Sequence, residues 1–170
     1  MPAEIALKSR ILDQKDREIL MILQENGRES ITQIAKKVGR SIDSVYNRVK
    51  VMIEKGIFRA GIFIDPRVIG FPLVVDVKIK LRNVSTETKE KFIHHLIAHP
   101  RVTSLFSITG NYDFLCVLIA KDTNELEEVA TQIRNKYEGY IADWETMLFL
   151  KTYKLEKYDL TTKETSAKQL

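Results

Sequence analysis

Between Ser30 and Gly56 the chain reads SITQIAKKVGRSIDSVYNRVKVMIEKG, two short apolar-striped segments, each opened by a serine and separated by Gly39. Serine before a helix accepts a hydrogen bond from the free amides of the first turn, and glycine takes the left-handed conformation that ends one. The spacing predicts a helix opening at Ser30-Ile31-Thr32-Gln33, a capping-box pattern, and a second one capped by Ser41 and running to about Lys55. Helices this short are unstable alone in water, so their stripes must pack on a neighbour. The first predicted stripe is Ile31, Ile34, Ala35 and Val38, and the second is Val45, Val49, Met52 and Ile53. The neighbour is at hand upstream. Asp13 is a candidate N-cap for a helix to about Asn26, with Ile19, Leu20 and Leu23 on one face and Gly27 as its stop. Residues 1–12 read as a lead-in of weak helical character. Three helices with such joints form a compact helix-turn-helix module.

That module also concentrates charge. From Lys36 to Lys50 five bases oppose the single acid Asp43, an excess equal to the +4 of the whole chain. A helix-turn-helix carrying the net charge is the electrostatic footprint of a double-stranded DNA partner. With Val45 facing inward, Asp43, Asn47 and Lys50 fall on the far face of the third helix, flanked by Ser44 and Arg48 on one side and Tyr46 on the other. Recognition helices read bases with N-terminal residues, so Ser41, Ser44, Asn47 and Arg48 are the candidate readers. Lys36, Lys37, Arg40 and Lys50 are candidate phosphate contacts that set affinity and salt dependence. A solvated charged face is the bland alternative for any one of these residues.

Residues 57–71 break the pattern: a short strand is expected at about 59–64, then an Asp65-Pro66 turn and Gly70, which reads as a linker. The region 72–154 alternates in another way. Leu73, Val75, Val77, Ile79 and Leu81 interleave with polar residues as a half-buried strand. A helix capped by Ser85 or Thr86 carries Phe92, Ile93, Leu96 and Ile97 and stops at Pro100; strands follow at about 102–109 and 114–121. Asp122 caps a helix striped by Leu126, Val129, Ala130, Ile133 and Tyr137, and a last strand runs from about Ile141 to Tyr153. The order βαββαβ is the ferredoxin-like split arrangement, so the fold class is α+β: an N-terminal winged-type helix-turn-helix domain over residues 1–56 and a C-terminal ferredoxin-like domain. One sheet face would cover the two helices. The other, with residues such as Val74, Leu105 and Ile119 in one or other register, needs a partner, which predicts a homodimer. Residues 155–170 read as a polar, frayed tail.

The single cysteine, Cys116, lies within FLCVLIA and reads as a core hydrophobe in a reducing compartment. No apolar run reaches the ~20 residues of a membrane span, and the N-terminus lacks a secretory pattern, so a cytoplasmic protein without a membrane partner is expected. His94, His95 and His99 share one helix, and His95/His99 have the i,i+4 spacing of a metal pair, but no cysteine and no third ligand at fixed spacing completes a site. No Gly-rich phosphate loop or catalytic motif is present, and neither metal nor cofactor is expected. Trp144 and Tyr153 read as packing residues.

With these residues placed, the chain resembles the leucine-responsive regulatory protein/AsnC, or feast/famine, family of transcription regulators over about residues 11–154. The marks are Leu12-Asp13-x-x-Asp16-x-x-Ile19-Leu20, then Ile34-Ala35-x-x-Val38-Gly39-x-Ser41-x-x-x-Val45-x-x-Arg48-Val49, Gly56-Ile57, and Thr109-Gly110-Asn111-Tyr112-Asp113-Phe114. The resemblance implies a transcription regulator, not an enzyme, whose C-terminal domain senses an effector and oligomerises to dimers and then a tetramer or octamer. It also implies an amino-acid effector at a cleft lined by Gly110, Asn111, Tyr112 and Asp113, with Glu145 and Thr146 approaching from the last strand. Backbone amides would receive the α-carboxylate and Asp113 the α-ammonium group. Two other readings stand beside it: an enzyme like the siroheme decarboxylases, which are similar to this family in both domains, and a nucleoid-organising protein with little sequence preference and no effector.

Overall fold

A computed structural model describes residues 12–161; the lead-in before Leu12 and the tail beyond Thr161 lie outside the described residues. The chain divides into two compact units: residues up to Ile62 together with those from Lys154 onward, and Phe63–Tyr153.

In the first unit, α1 spans Gln14–Glu25, α2 Ile31–Val38 and α3 Ile42–Glu54. Asp13 closes a reciprocal capping box with Asp16, while Ser30 and Ser41 each accept the backbone N–H three residues on, at 3.2 and 3.3 Å. In the Ser30 box, the serine supplies the bond to Gln33. Gly39 ends α2 with φ +63°, a left-handed turn that a Cβ would strain. Ile19, Leu20, Ile34, Val38, Val45 and Met52 form the core, joined by half-buried Val49 and Leu160. Ile53, expected on the buried stripe, is 45% exposed. It lies on the last turn of α3, where the other two helices no longer cover every position of a broad stripe. No strand forms over 59–64; that stretch is exposed coil in this chain, ending in a turn in which Arg67 and Val68 donate to Asp65.

The tail is another departure. Residues 155–161 are not frayed but seated on α1. The Gln24 amide pairs with both the N–H and the C=O of Tyr158, Lys157 pairs with Glu25, and Leu160 joins the helical core.

The second unit runs β1 (Leu73–Leu81), α4 (Thr86–Ala98), β2 (Val102–Ser107), β3 (Phe114–Ala120), α5 (Thr123–Lys136) and β4 (Ile141–Leu148). The sheet order is β2-β3-β1-β4, every pair antiparallel, which is the ferredoxin-like arrangement. Val75, Val77 and Ile79 of β1, with Phe114, Cys116 and Leu118 of β3, face α4 and α5 and bury Phe92, Leu96 and Ile133 between. Burial pushes the Cys116 thiol up to about 12, with the Asp76 charge adding to the shift, as expected of a core cysteine.

Three placements correct the sequence expectation here. Leu105 pairs opposite Cys116 and packs on the helix side, whereas Val74 and Ile119 pair with each other on the outer face. The cause is the register shift between Val102 and Ser104, which moves the end of β2 by one position of the pleat. Strand β4 ends at Leu148 rather than Tyr153. Tyr153 lies beyond that end and is 86% exposed, so it is not a packing residue, whereas Trp144 does pack on the core.

Candidate functional site

One face of α3 is buried in the core of the first unit and the other is free. Val45 and Met52 are buried, so the helical period turns Asp43, Tyr46, Asn47 and Lys50 outward, with Ser44 half-buried beside them. Ser41 stands at the N-cap and uses its hydroxyl oxygen to accept the Ser44 N–H. The hydroxyl proton stays free to donate. Lys36 and Arg40 are exposed on and just after the last turn of α2. Lys37 pairs with Glu29 at 2.7 Å, and Lys50 stands 3.9 Å from Glu54. The Lys50–Glu54 pair is an exposed contact of small energy that a phosphate can displace, whereas Glu29 is half-buried beneath Lys37.

Arg48, the fourth candidate reader, is engaged within the fold. Its Nη1 donates to Asp13 Oδ2 at 2.5 Å and to Asp16 Oδ1 at 2.8 Å, and the Asp16 side chain is only 7% exposed. Burial of Asp13 opposes its ionisation, but the Asp16 N–H and the Arg48 guanidinium outweigh that and hold the carboxyl below its usual range. The Arg48 guanidinium is in turn held above its own by Asp13 and Asp16. Through these pairs Arg48 bolts α3 to the capping box of α1. The signal was present in the sequence as Asp13 and Asp16, but only packing shows that the two helices bring them to Arg48.

In the second unit the loop Gly110–Asp113 leads into β3. Gly110 has φ +113° and Asn111 is exposed. Asp113 is tied into the sheet: its N–H donates to Ile79 C=O at 2.9 Å, its C=O accepts from Ile108, and Oδ2 accepts the Leu81 N–H at 2.8 Å. The β1–β4 register shifts between Lys80 and Leu81, and Asp113 satisfies the amide stranded there. A carboxylate so committed is a poor receptor for a ligand's ammonium group. Glu145 and Thr146 also part company, because strand residues alternate faces. Glu145 pairs across from Lys78 on the outer face, while Thr146 pairs across from Val77 on the helix side and accepts from Trp144 Nε1 at 3.1 Å.

What gathers on the outer face is a different set. The Tyr112 hydroxyl shares its one proton between Glu145 Oε2 at 2.8 Å and Asp143 Oδ2 at 3.0 Å; Lys78 Nζ donates to Glu145 Oε1 at 3.4 Å and lies 5.6 Å from the Tyr112 ring centre. The hydrogen bonds to Glu145 and Asp143 push the Tyr112 hydroxyl well above its usual range, so it remains a donor. Asp143 and Lys78 were missed by sequence reasoning. The signal was the period-two alternation of Asp143 and Glu145 on one face of β4.

Comparison with known proteins accounts for both units. Residues 74–158 match the model of the Lrp/AsnC ligand binding domain, and residues 12–59 that of a winged helix-turn-helix DNA-binding domain. The chain is 34% identical over 119 residues to an HTH-type transcriptional regulator of Methanocaldococcus jannaschii, covering 68% of this chain and 77% of that one. It superposes on an AsnC family transcriptional regulator from Agrobacterium tumefaciens with a TM-score of 0.78 at 26% identity, over 88% of this chain and 97% of that one. A Neisseria meningitidis transcriptional regulator, solved as a complex with L-methionine, gives a TM-score of 0.76 at 25% identity over 85% and 93% of the two chains. No helix among the described residues is long and apolar enough to cross a membrane. With a helix-turn-helix DNA-binding unit followed by the matching ligand-binding unit, the chain belongs to the Lrp/AsnC family of transcriptional regulators.

Proposed function

We propose that this regulator binds its operator sequence-specifically through α3 and that an amino acid bound to the second unit modulates its assembly or DNA affinity. The observation that carries the first part is the composition of the exposed α3 face. Ser41, Ser44, Tyr46 and Asn47 offer hydroxyl and amide groups at the N-terminal end of a helix whose opposite side is buried. Those groups suit base edges, while Lys36, Lys37, Arg40 and Lys50 suit phosphates. The chain is a regulator rather than a catalyst.

The effector reading draws on the outer face. Lys78 and the loop amides around Gly110 and Asn111 suit an α-carboxylate, and Asp143 with Glu145 suits an α-ammonium group. The Neisseria relative's complex with L-methionine supports an amino acid as the ligand class. On the same face Phe106 is 52% and Met147 38% exposed, an apolar surface suited to a second copy of the chain. A homodimer places two α3 helices on a pseudo-palindromic site, and assembly to a tetramer or octamer links further contacts.

The test is retention of a duplex carrying the protein's own promoter, against random duplex at physiological salt, titrated with each of the twenty amino acids. Preferential retention shifted by an amino acid is expected. Equal retention of both duplexes defeats sequence specificity, and indifference to every amino acid defeats the effector.

A further inference from the structure

The residues that follow β4 return to the helical unit rather than staying with the sheet they leave. Their seat on α1 is specific. Gln24 Nε2 donates to Tyr158 C=O at 3.1 Å and Gln24 Oε1 accepts the Tyr158 N–H at 2.9 Å, so one side-chain amide satisfies a residue's backbone as a neighbouring strand would. Lys157 Nζ lies 2.6 Å from Glu25, and Arg17 donates to Leu160 C=O at 3.5 Å. Leu160 packs on the helical core and lines an apolar groove of about 690 Å3 with Leu12, Met21, Ile22 and Val38.

We propose that residues 154–161 are a regulatory strap: seated on α1 they brace the reading unit, and, joined to β4 through residues 149–153, they carry a disturbance at the Tyr112–Glu145 face to α1. The second half rests on the reading of that face as the effector site. Two physical points support it. First, α1 is the element whose Asp13 and Asp16 grip Arg48 of α3, so whatever steadies α1 steadies the recognition helix. Second, the strap is tethered to β4 through residues 149–153 alone, so its contacts form at high effective concentration. Individually modest bonds then keep it seated. The reading unit has two covalent crossings to the sheet unit, one after Ile62 and one before Lys154. The second enters from the strand that bears Asp143 and Glu145.

The experiment is hydrogen exchange on the full-length protein, wild type against Gln24→Ala/Leu160→Ser and against Tyr112→Phe. In the double variant, amides of α1 and of residues 154–161 should exchange at least about tenfold faster while those of β1 and α4 keep their rates. Tyr112→Phe, which removes the hydroxyl bonds to Asp143 and Glu145, should speed exchange in the strap and α1 by at least about threefold. Unchanged α1 exchange in the double variant overturns the brace. Strap and α1 amides that ignore Tyr112→Phe overturn the route. Gln24→Glu, a surface change that removes the donor to Tyr158 C=O, decides the first point should the double variant misfold. Wild type that binds no duplex refutes the DNA reading of α3, while the exchange rates still decide the strap.

Discussion

The two units use charge in opposite ways. The helical unit buries Asp16, the one polar or charged residue buried among the described residues, and spends Arg48 on holding it; its exposed α3 face carries hydroxyls, an amide, Lys50 and the acid Asp43. The sheet unit has a fully apolar core around Phe92 and keeps its carboxylate–lysine–tyrosine cluster on the outer face. A three-helix unit has few apolar positions, and a polar bolt fixes the relative rotation of α1 and α3 where a small core does not. The four-stranded sheet takes its register from the backbone ladder and the alternation of faces, and its structural carboxylates, Asp113 on the Leu81 amide and Glu125 on Arg101, stand at the sheet's margins rather than in its core.

Substitutions break this contrast in order of expected effect. Phe92→Ala should cost about 3–5 kcal/mol, since the ring is 1% exposed and meets Tyr137 edge-on at 4.9 Å and Phe114 at 5.9 Å. Denaturant unfolding followed by Trp144 fluorescence measures it; a loss below 1 kcal/mol would mean the core is not organised around this ring. Arg48→Ala should cost about 2–3 kcal/mol by leaving Asp16 buried without its cation, less than for a fully buried pair because Arg48 and Asp13 are partly exposed. The loss should appear in helix circular dichroism of the first unit. If DNA affinity drops while unfolding is unmoved, Arg48 is a reader after all. Asp113→Ala should cost about 1–2 kcal/mol by stranding the Leu81 amide, with calorimetry as the check.

The smallest effect is on pH dependence. Burial depresses the pKa of both His95 and His99; Lys136 and then His99 push His95 the same way, and Arg101 does so for His99. His95 Nδ1 lies 3.1 Å from Lys136 Nζ, and His99 Nδ1 accepts the Arg101 N–H at 3.2 Å, both arrangements that suit the neutral ring. The folded state therefore binds fewer protons than the unfolded one. The stability these rings allow is complete above their ordinary value of 6.5 and is lost as pH falls below it toward the depressed folded values. Thermal melts across that window should show a slope that His95→Gln/His99→Gln flattens; an equal slope in the variant removes the histidines as its cause.

Much of this was legible along the chain because it is local. Asp13, Ser30, Ser41 and Asp122 cap the helices their positions announce, since a cap needs only the amides within three residues of it. Gly39 and Pro100 stop helices for equally local reasons. The fates of Arg48, Asp113 and Thr146 were not legible. Each carries a side chain suited to a ligand, and each is claimed by a group distant in sequence or by the face a strand register assigns it. The tail at Tyr158 is the extreme case: a polar segment with no periodicity finds an amide more than a hundred residues away.

The sequence by itself therefore determined the two-part order, the helix ends, the alternation of the strands and the polar character of the α3 face, because period and capping act within a few residues. The tertiary structure alone decided which charged groups are spent on the fold and which remain for partners. A charge takes its role from the dielectric and the partners that packing brings to it, and neither is written at its own position in the chain.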